Sequence, residues 1–426
     1  MSERPPAVTR EARLDTAPPR GMRDVLPDEV EVRDRAIATI LDVYRRHGFQ
    51  RIETPAVENI KLLTRGEGGE NEKLIFKILK RGEKLTAAQN PDDLADLGLR
   101  FDLTVPLARY YANNHARLPQ PLKAVQIGPV WRAERPQHGR FRQFTQCDID
   151  ILGVSSEIAE IELILATAEA LLALGLADLT VRINDRRILA AIARNCGFAE
   201  ERFDSVFIAL DKLDKIGQAG VIRELETEGH PTKAIGELMR LLDDARALPQ
   251  FLGSGAEPVA WQGLQRIITT VTAAAAGRFR VAFDPTLVRG MSYYTGPIFE
   301  IRYAESASSI AGGGRYDRMI GRLLGRDVPA TGFSIGFERV IGILTERPAV
   351  TGDATERLVV VFAEDTPHLP AILERARQYR ADGHPVLLEL KKKNLGRQLQ
   401  DLETRGFARI GVVGDDGTWQ WRGPKA

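Results

Sequence analysis

The alternation of apolar and polar residues between Leu122 and Gly153 predicts a β-hairpin. Side chains along a strand point to opposite faces with a period of two, so each arm should have one apolar and one polar face. A polar bend at residues 136–139 separates the arms. The apolar faces are formed by Val125, Ile127, Pro129, Trp131, Thr145, Cys147, Ile149 and Ile151.

The polar face of this hairpin is the first candidate site. If the bend centres on His138, Arg132 lies near Phe144 and Glu134 lies near Arg142. The alternative is a half-solvated hairpin whose charges face water. An amide, two carboxylates and several arginines on one face suit a zwitterion or a phosphate better than plain water. The remaining residues of this set are Arg135, Arg140, Gln146, Asp148 and Asp150.

The spacing of apolar residues predicts further helices and strands on both sides of the hairpin. Apolar residues at i, i+3, i+4 and i+7 predict a helix over residues 28–47, and a short strand over 49–53 leads to Pro55 at a sheet edge or an interface. A further helix is predicted over 155–175 and a strand over 180–184. From about residue 185 to 253 the pattern consists of short helices with little strand character, which indicates a helical insertion.

Three other segments carry candidate site residues. In LRFDLTVPLARYY, Asp102 and Thr104 are two apart, so on a strand they share one face and could receive an ammonium group; solvation of an exposed strand is the alternative. AGGGRYD is expected to be a glycine turn before a helix. Such a turn can bind an anion at the helix N-terminus; the alternative is a tight turn with no ligand. Arg339 enters the first turn of a helix, against the helix dipole, which favours an anionic partner.

The last seventy residues predict a separate, mainly parallel α/β domain, because buried-strand patterns alternate with helical ones. Lys391, Lys392 and Lys393 follow its second strand, at the strand end where such sheets bind ligands. The expected organisation is a flexible tail at 1–20, a main domain at 21–346, a linker at 347–355 and the α/β domain at 356–426.

Composition limits the class of protein. Of the 426 residues, 43% are hydrophobic and 27% are charged, which is ordinary for a globular chain, and the net charge of +1 favours neither a nucleic-acid coat nor a membrane partner. Two cysteines are too few for a disulfide framework or a cysteine-rich zinc site. No transmembrane span or secretory signal is expected, so a cytoplasmic location is predicted.

Taken together, these segments resemble the histidyl-tRNA synthetase family of class II aminoacyl-tRNA synthetases along essentially the whole chain. Pro55 in GFQRIETPAVE, Arg132 in WRAERPQHGRFRQF and Arg339 in GFSIGFER match the three class motifs. LVRGMSYYTG and AGGGRYD match the two signatures of the histidine family, which are more specific than a single glycine pattern. The resemblance implies an α+β fold: an antiparallel catalytic sheet flanked by helices, a helical insertion, and a C-terminal α/β domain that binds the anticodon.

The resemblance also implies the activity and its residues. Histidine would be activated by ATP, with Mg²⁺ on the phosphates, and transferred to histidine tRNA by a homodimer joined through the catalytic domain. Arg132, Arg289 and Arg339 would be catalytic, and Glu134 and Arg140 would join Arg132 and Arg339 in binding the nucleotide. The histidine-binding residues would be Asp102, Thr104, Gln146, Asp150, Arg289, Tyr293 and Tyr294.

Two departures from the family pattern accompany this resemblance. Met291 and Ser292 stand where the family usually has Leu-Asp, which removes a charge beside Arg289. The C-terminal domain stops at Ala426, and we expect it to lack the last elements of the family's usual version. The alternative function is that of a non-catalytic regulatory relative in histidine biosynthesis, which usually lacks the signature arginine and the anticodon domain. A pure RNA-binding module would have no reason to keep the polar pocket.

Overall fold

A computed structural model describes residues 15–64, 73–135, 141–243, 258–288, 293–306, 308–347 and 356–423. The chain divides into two compact units, Met1–Glu346 and Arg347–Ala426. The hairpin bend and two of the predicted site residues, Arg140 and Arg289, lie outside the described residues, as do Met291 and Ser292. Within the described ranges, no helix is both long and apolar enough to cross a membrane.

The first unit combines helices with strands, as the α+β class predicts. Its helices are α1 (Pro27–Arg46), α2 (Ile60–Thr64), α3 (Glu83–Thr86), α4 (Thr104–Asn114), α5 (Ile158–Ala173), α6 (Arg186–Cys196), α7 (Phe203–Asp211), α8 (Leu213–Thr227), α9 (Thr232–Asp243), α10 (Pro258–Ala275), α11 (Asp317–Leu324) and α12 (Phe337–Glu346). Its strands are β1 (Gln50–Arg51), β2 (Val57–Asn59), β3 (Lys77–Leu79), β4 (Ala95–Leu99), β5 (Leu122–Trp131), β6 (Gln143–Leu152), β7 (Leu179–Asp185), β8 (Arg280–Phe283), β9 (Pro297–Tyr303), β10 (Ala311–Arg315) and β11 (Ala330–Ile335).

An eight-stranded sheet forms the centre of this unit, in the order β1-β5-β6-β11-β10-β9-β7-β8. The six inner strands, from β5 to β7, pair antiparallel. The two outer pairs, β1 with β5 and β7 with β8, are parallel. The predicted antiparallel sheet is therefore confirmed, with parallel pairs only at its two edges.

The apolar face of the hairpin lies on the side of this sheet that faces the main core, as the alternation predicts. Val125 and Ile149 are fully buried in the main core, together with Ile40 and Tyr44 of α1. Burial of such side chains contributes roughly 1.5–3 kcal/mol each. The predicted helix over 28–47 is confirmed as α1, which begins with a proline at its first position and has arginines in its last turn, as helix ends prefer.

The register of the hairpin differs from the one expected with a bend at His138. Val130, rather than Arg132, is opposite Phe144, so the pairing is shifted by two residues. A shift of two preserves the side of the sheet to which each residue points, so the polar faces still coincide. Arg132 nevertheless reaches the Phe144 ring, with its guanidinium carbon 5.0 Å from the ring centre.

Two local predictions are wrong. Asp102 and Thr104 do not share a strand face: β4 ends at Leu99, and Thr104 begins α4. The segment AGGGR is a strand, β10, within the sheet rather than a turn. A Cβ on Gly313 would overlap the backbone of β11, so this close strand pairing requires glycine at that position.

The remaining parts agree with the predicted pattern. Helices α6 to α9 lie in the described part, residues 185–243, of the segment for which short helices were predicted. A small antiparallel sheet in the order β2-β4-β3 follows β1. The second unit contains β12 (Leu358–Phe362), α13 (Leu369–Ala381), β13 (Val386–Leu390), α14 (Leu395–Thr404), β14 (Arg409–Val413) and β15 (Trp419–Arg422). Its strands β13, β12 and β14 are parallel, and β15 adds an antiparallel edge that the sequence analysis did not predict.

Candidate active site

Two adjoining pockets open on the polar side of the central sheet. The acidic pocket, about 220 Å³, contains Asp102, Asp148 and Asp150. The basic pocket, about 330 Å³, is lined by residues of β6, β11 and α12 and contains Arg132, Glu134 and Arg339. Because both are lined by Arg132, Gln146, Gly312 and Ser334, they form one continuous cleft.

Strand β6 supplies the floor of the acidic pocket. Gln146, Asp148 and Asp150 are successive residues on its polar face, as the period of two requires. Asp150 is paired across the sheet with Gly332 of β11. A Cβ at Gly332 would overlap the Asp150 carboxylate, so glycine there makes room for the acid inside the sheet.

Asp150 is buried rather than solvated. Only 3% of the residue is exposed, and its Oδ1 accepts a hydrogen bond of 2.5 Å from the hydroxyl of Tyr316. Burial and, to a smaller extent, the charge of Asp102 raise the pKa of Asp150 to about 7, against the lowering effect of the Tyr316 hydrogen bond. The alternative of a half-solvated hairpin whose charges face water is therefore wrong for Asp150.

Asp102 and Thr104 reach the same pocket by a different route. The loop before α4 places Asp102, which is 2% exposed, so that its Oδ1 accepts the Val105 backbone N–H at 3.1 Å. Burial raises the pKa of Asp102 to about 6, although this hydrogen bond opposes the shift. Thr104 lines the pocket from the first position of α4.

Three buried oxygens in the acidic pocket have no hydrogen-bond partner among the described residues. They are Asp102 Oδ2, Gln146 Oε1 and Asp148 Oδ1. Burial, and then the nearby charge of Asp150, raise the pKa of Asp148 well above its ordinary value. A buried acceptor without a donor is unfavourable by about 1–3 kcal/mol, so this pocket suits a ligand that donates hydrogen bonds.

Aromatic side chains close the acidic pocket on its other side. Tyr293 and Tyr294 line it with their ring centres 4.8 Å apart, and Tyr316 lies 6.0 Å from Tyr293. Burial, followed by the neighbouring Tyr294 and Asp102, raises the pKa of Tyr293 well above its ordinary value. The Tyr293 hydroxyl therefore stays protonated and can donate a hydrogen bond at neutral pH.

Arg132 stands at the junction of the two pockets. Its backbone N–H donates to the Arg142 carbonyl at 2.8 Å, and its Nε donates to the Phe101 carbonyl at 3.1 Å. The guanidinium lies over the Phe144 ring. These contacts fix its orientation and leave a cation facing both pockets.

The basic pocket is braced by an ion pair between helices. Glu338 accepts two hydrogen bonds from Arg33 of α1, at 2.7 and 2.8 Å, and a third from the Thr145 backbone at 3.0 Å. Burial alone would raise the pKa of Glu338, but these contacts outweigh it and hold the pKa below its ordinary value. The brace joins α1, β6 and α12, and Arg339 is the next residue on α12, with Nη1 donating to the Ser309 carbonyl at 2.6 Å.

The structure thus brings most of the predicted site residues into one cleft. Arg132, Glu134 and Arg339 line the basic pocket, and Gln146 lines both. Asp102, Thr104, Asp150, Tyr293 and Tyr294 line the acidic pocket.

Sequence reasoning missed three residues of the cleft. The sequence analysis placed Asp148 on the polar face but gave it no role. Its position between the predicted site residues Gln146 and Asp150 could have identified it. The contact of Tyr316 with Asp150 and the brace of Glu338 join residues 166 and 305 positions apart along the chain, so no local pattern indicates them.

The chemistry of the cleft is two-sided. Carboxylate and amide oxygens in one pocket suit an ammonium and a ring N–H, and arginines in the other suit phosphate oxygens. Among the described residues, no group of three or more His, Cys, Asp or Glu side chains could hold a metal ion by itself. A cleft of this kind can position a zwitterion against a nucleotide.

Comparison with known proteins agrees with this geometry. The family model described as histidyl-tRNA synthetase matches residues 21–340. The chain is similar to a histidine–tRNA ligase of Leifsonia xyli subsp. xyli, with 47% identity over 416 residues, covering 94% of this chain and 95% of the relative. Both findings span most of the chain, including the cleft.

Solved structures show the same fold. The histidyl-tRNA synthetase of Nostoc sp. PCC 7120 superposes with a TM-score of 0.78 at 28% identity, covering 96% of this chain and 97% of that one. A Bacillus halodurans structure described as an ATP phosphoribosyltransferase regulatory subunit/histidyl-tRNA synthetase superposes with a TM-score of 0.73 at 23% identity, covering 92% and 97%. By its family match and its relatives, the chain belongs to the histidyl-tRNA synthetase family.

Proposed function

We propose that this protein is a histidine–tRNA ligase that forms histidyl-adenylate from L-histidine and ATP and then transfers histidine to the 3′ end of histidine tRNA. The observation that carries the proposal is the continuous cleft with an acidic pocket beside a basic one. Such a cleft matches a zwitterionic amino acid placed against a triphosphate. Family membership and the 47% identical ligase support the same reaction.

In the first step, a histidine carboxylate oxygen attacks the α-phosphorus of ATP and the bond to pyrophosphate breaks. The reaction needs no covalent enzyme intermediate, so positioning and charge stabilisation supply the catalysis. Arg132, at the junction of the pockets, would contact the α-phosphate, and Arg339 the γ-phosphate. Glu134 would accept from the adenine amino group. The family resemblance adds Arg140 near the triphosphate and Arg289 between the carboxylate and the α-phosphate.

The acidic pocket would hold the amino acid. Asp102, Thr104 and Gln146 would receive the α-ammonium, while Asp150 and Tyr294 would contact the two imidazole nitrogens. Neutral imidazole has one donor and one acceptor nitrogen, so a carboxylate and a tyrosine hydroxyl can select it. Tyr293 packs beside Tyr294 and would shape the ring site.

ATP would enter with Mg²⁺ on its phosphates, as part of the substrate. Mg²⁺ commonly takes most of its ligands from phosphates and water and only one or two from carboxylates, so a dedicated cluster of protein ligands is not required. The ion would neutralise phosphate charge as pyrophosphate leaves.

In the second step, a terminal ribose hydroxyl of the tRNA attacks the histidyl carbonyl and AMP leaves. The second unit would bind the anticodon region, with exposed Lys391, Lys392 and Lys393 at the carboxyl ends of its parallel strands. The insertion formed by α6 to α9 would contact the acceptor stem. The proposed activity would take place in the cytoplasm, where tRNA is charged for translation.

The protein would act as a homodimer through the catalytic unit. Pro55 leads into the small sheet, where Val57 and Leu97 are exposed apolar side chains on neighbouring strands. A second copy of this surface would cover them, as expected for the class motif that contains Pro55. The alternative function, a regulatory relative in histidine biosynthesis, is not favoured by the ligase relatives or by the retained α/β domain.

Histidine-dependent exchange of pyrophosphate into ATP tests the first step, and charging of histidine tRNA tests the second. We expect exchange that depends on histidine and not on other amino acids, followed by charging. Absence of both reactions, in a folded protein that still binds histidine, would instead support the regulatory alternative.

A further inference from the structure

Asp148 lies in the centre of the acidic pocket. Its Cα partners are Gln126 on β5 and Ser334 on β11, so it occupies the middle of the sheet, between the Gln146 and Asp150 positions of the same strand. Only 4% of the residue is exposed. Position and burial leave its carboxyl group facing the same space as the two site residues that flank it.

The two oxygens of Asp148 have different surroundings. Gln146 donates from Nε2 to Oδ2 at 3.4 Å, while Oδ1 has no hydrogen-bond partner among the described residues. Asp102 Oδ2 and Gln146 Oε1 are in the same situation in the same pocket. Three buried acceptor oxygens from three side chains therefore line one pocket of about 220 Å³.

An ammonium group is the ligand group that matches this set. It has three N–H donors and no acceptor, whereas a phosphate or carboxylate has only acceptors and would be repelled by the same oxygens. We infer that Asp148, rather than the Thr104 hydroxyl, is the third acceptor for the α-ammonium of the substrate, beside Asp102 and Gln146. Each N–H of this group then has its own buried oxygen, and Thr104 only lines the pocket. The inference rests on the proposed function, because it concerns the amino-acid end of that site.

The charges around Asp148 are consistent with a cationic ligand. The carboxyl of Asp148 is faced by the carboxyl of Asp102, in the loop before α4, and by that of Asp150, on β6. Among the described residues, Arg132 is the cation whose charge lowers the pKa of Asp148. Its pKa lies well above the ordinary value because burial and then the charge of Asp150 outweigh the lowering effects of the nearby Ser334 hydroxyl and of Arg132. A cation bound among these carboxyls favours their ionised forms, so it offsets the repulsion between them.

Ligands that keep or lose the ammonium test this assignment. Binding is measured by calorimetry, for the unchanged protein and for Asp148→Asn, with histidine, with histidinol and with 3-(imidazol-4-yl)propionate. Histidinol keeps the ammonium and lacks the carboxylate, and the propionate lacks the ammonium. We expect Asp148→Asn to weaken histidine and histidinol at least 10-fold and the propionate less than 2-fold.

Asp150→Asn is the matched control within the same strand. It removes a charge at constant shape, but its proposed partner is the imidazole, which all three ligands share, so all three should weaken by a similar factor. If Asp148→Asn also weakens all three ligands by a similar factor, or weakens the binding of none, the Asp148 assignment is overturned and the proposed function still stands. Failure of the unchanged protein to bind histidine would overturn both.

Discussion

The basic and acidic pockets differ in whether their charged groups have partners within the protein. In the basic pocket the protein itself holds the charged groups: Glu338 is bound by Arg33 and Thr145, and Arg132 by a backbone carbonyl. In the acidic pocket three carboxyls are buried together, and oxygens of two of them, Asp102 and Asp148, have no partner among the described residues. The basic pocket is therefore organised in advance, whereas the acidic pocket is completed by its ligand.

The largest expected effect lies where the two ligands meet. Arg289, which lies outside the described residues, is assigned by the family resemblance to bridge the substrate carboxylate and the α-phosphate. Arg289→Ala should lower the rate of pyrophosphate exchange by about 100-fold, or roughly 3 kcal/mol, because a charge-assisted contact at the reacting atoms is lost. The control is Arg35→Ala, which removes an exposed arginine of α1 and should leave exchange unchanged. Exchange near the parent rate in Arg289→Ala would remove the assigned role.

Asp150→Asn should have the next largest effect, and only on the acidic side. The amide keeps the shape but can present a donor where the imidazole N–H needs an acceptor. We expect a loss of roughly 1–3 kcal/mol in kcat/KM for histidine, with the KM for ATP little changed. Steady-state exchange kinetics with each substrate varied in turn gives both values. An unaltered histidine dependence would show that Asp150 is not the partner of the imidazole.

The buried carboxyls should also appear in the pH dependence of stability. Asp150 has a pKa of about 7 in the folded protein and an ordinary value of 3.8, so between these values the folded state holds a proton that the unfolded state has lost. Stability from this group is complete below about pH 4 and is lost as the pH rises toward 7, with a slope of up to about 1.4 kcal/mol per pH unit.

Chemical denaturation at several pH values between 4.5 and 7.5 measures this slope. Ion-paired carboxylates elsewhere make the protein more stable as the pH rises, which is the opposite trend. The informative quantity is therefore the difference in the free energy of unfolding between the parent protein and Asp150→Asn. That difference should grow in favour of the variant as the pH rises. A difference that does not change with pH would contradict the buried, protonated Asp150.

The smallest effect is expected far from the adenylation chemistry. Changing Lys391, Lys392 and Lys393 to alanine should raise the KM for tRNA and flatten its dependence on salt, because fewer phosphate contacts release fewer counterions. Pyrophosphate exchange should not change. Arg377→Ala, on α13 of the same unit, is the control, since that arginine is paired with Glu374. If the triple-alanine variant charges tRNA normally at every salt concentration, the three lysines do not bind tRNA.

Sequence periodicity predicted those parts of the fold that depend on one local pattern. The two faces of the hairpin followed from a period of two, and α1 followed from apolar spacing and its terminal residues. The site residues Arg132, Gln146 and Asp150 were found because they share that polar face or a family motif. Residues close in sequence were thus placed well.

The wrong predictions arose where tertiary contacts outweighed local preference. Glycines disfavour strands in general, yet β10 is a strand because its neighbours approach too closely for any side chain at Gly313. Asp102 reaches the acidic pocket from a helix entrance, where its side chain holds the Val105 backbone. The roles of Tyr316 and Glu338 depend on partners more than 160 residues away, which no local pattern contains.

The most direct test of the two-pocket account is a crossed binding measurement. Binding of histidine and of ATP is measured separately by calorimetry for Asp150→Asn and for Arg339→Ala. We expect Asp150→Asn to weaken histidine binding and leave ATP binding unchanged, and Arg339→Ala to weaken ATP binding and leave histidine binding unchanged. Equal weakening of both ligands in both variants, or loss of ATP binding in Asp150→Asn alone, would contradict the division of the cleft into an amino-acid pocket and a nucleotide pocket.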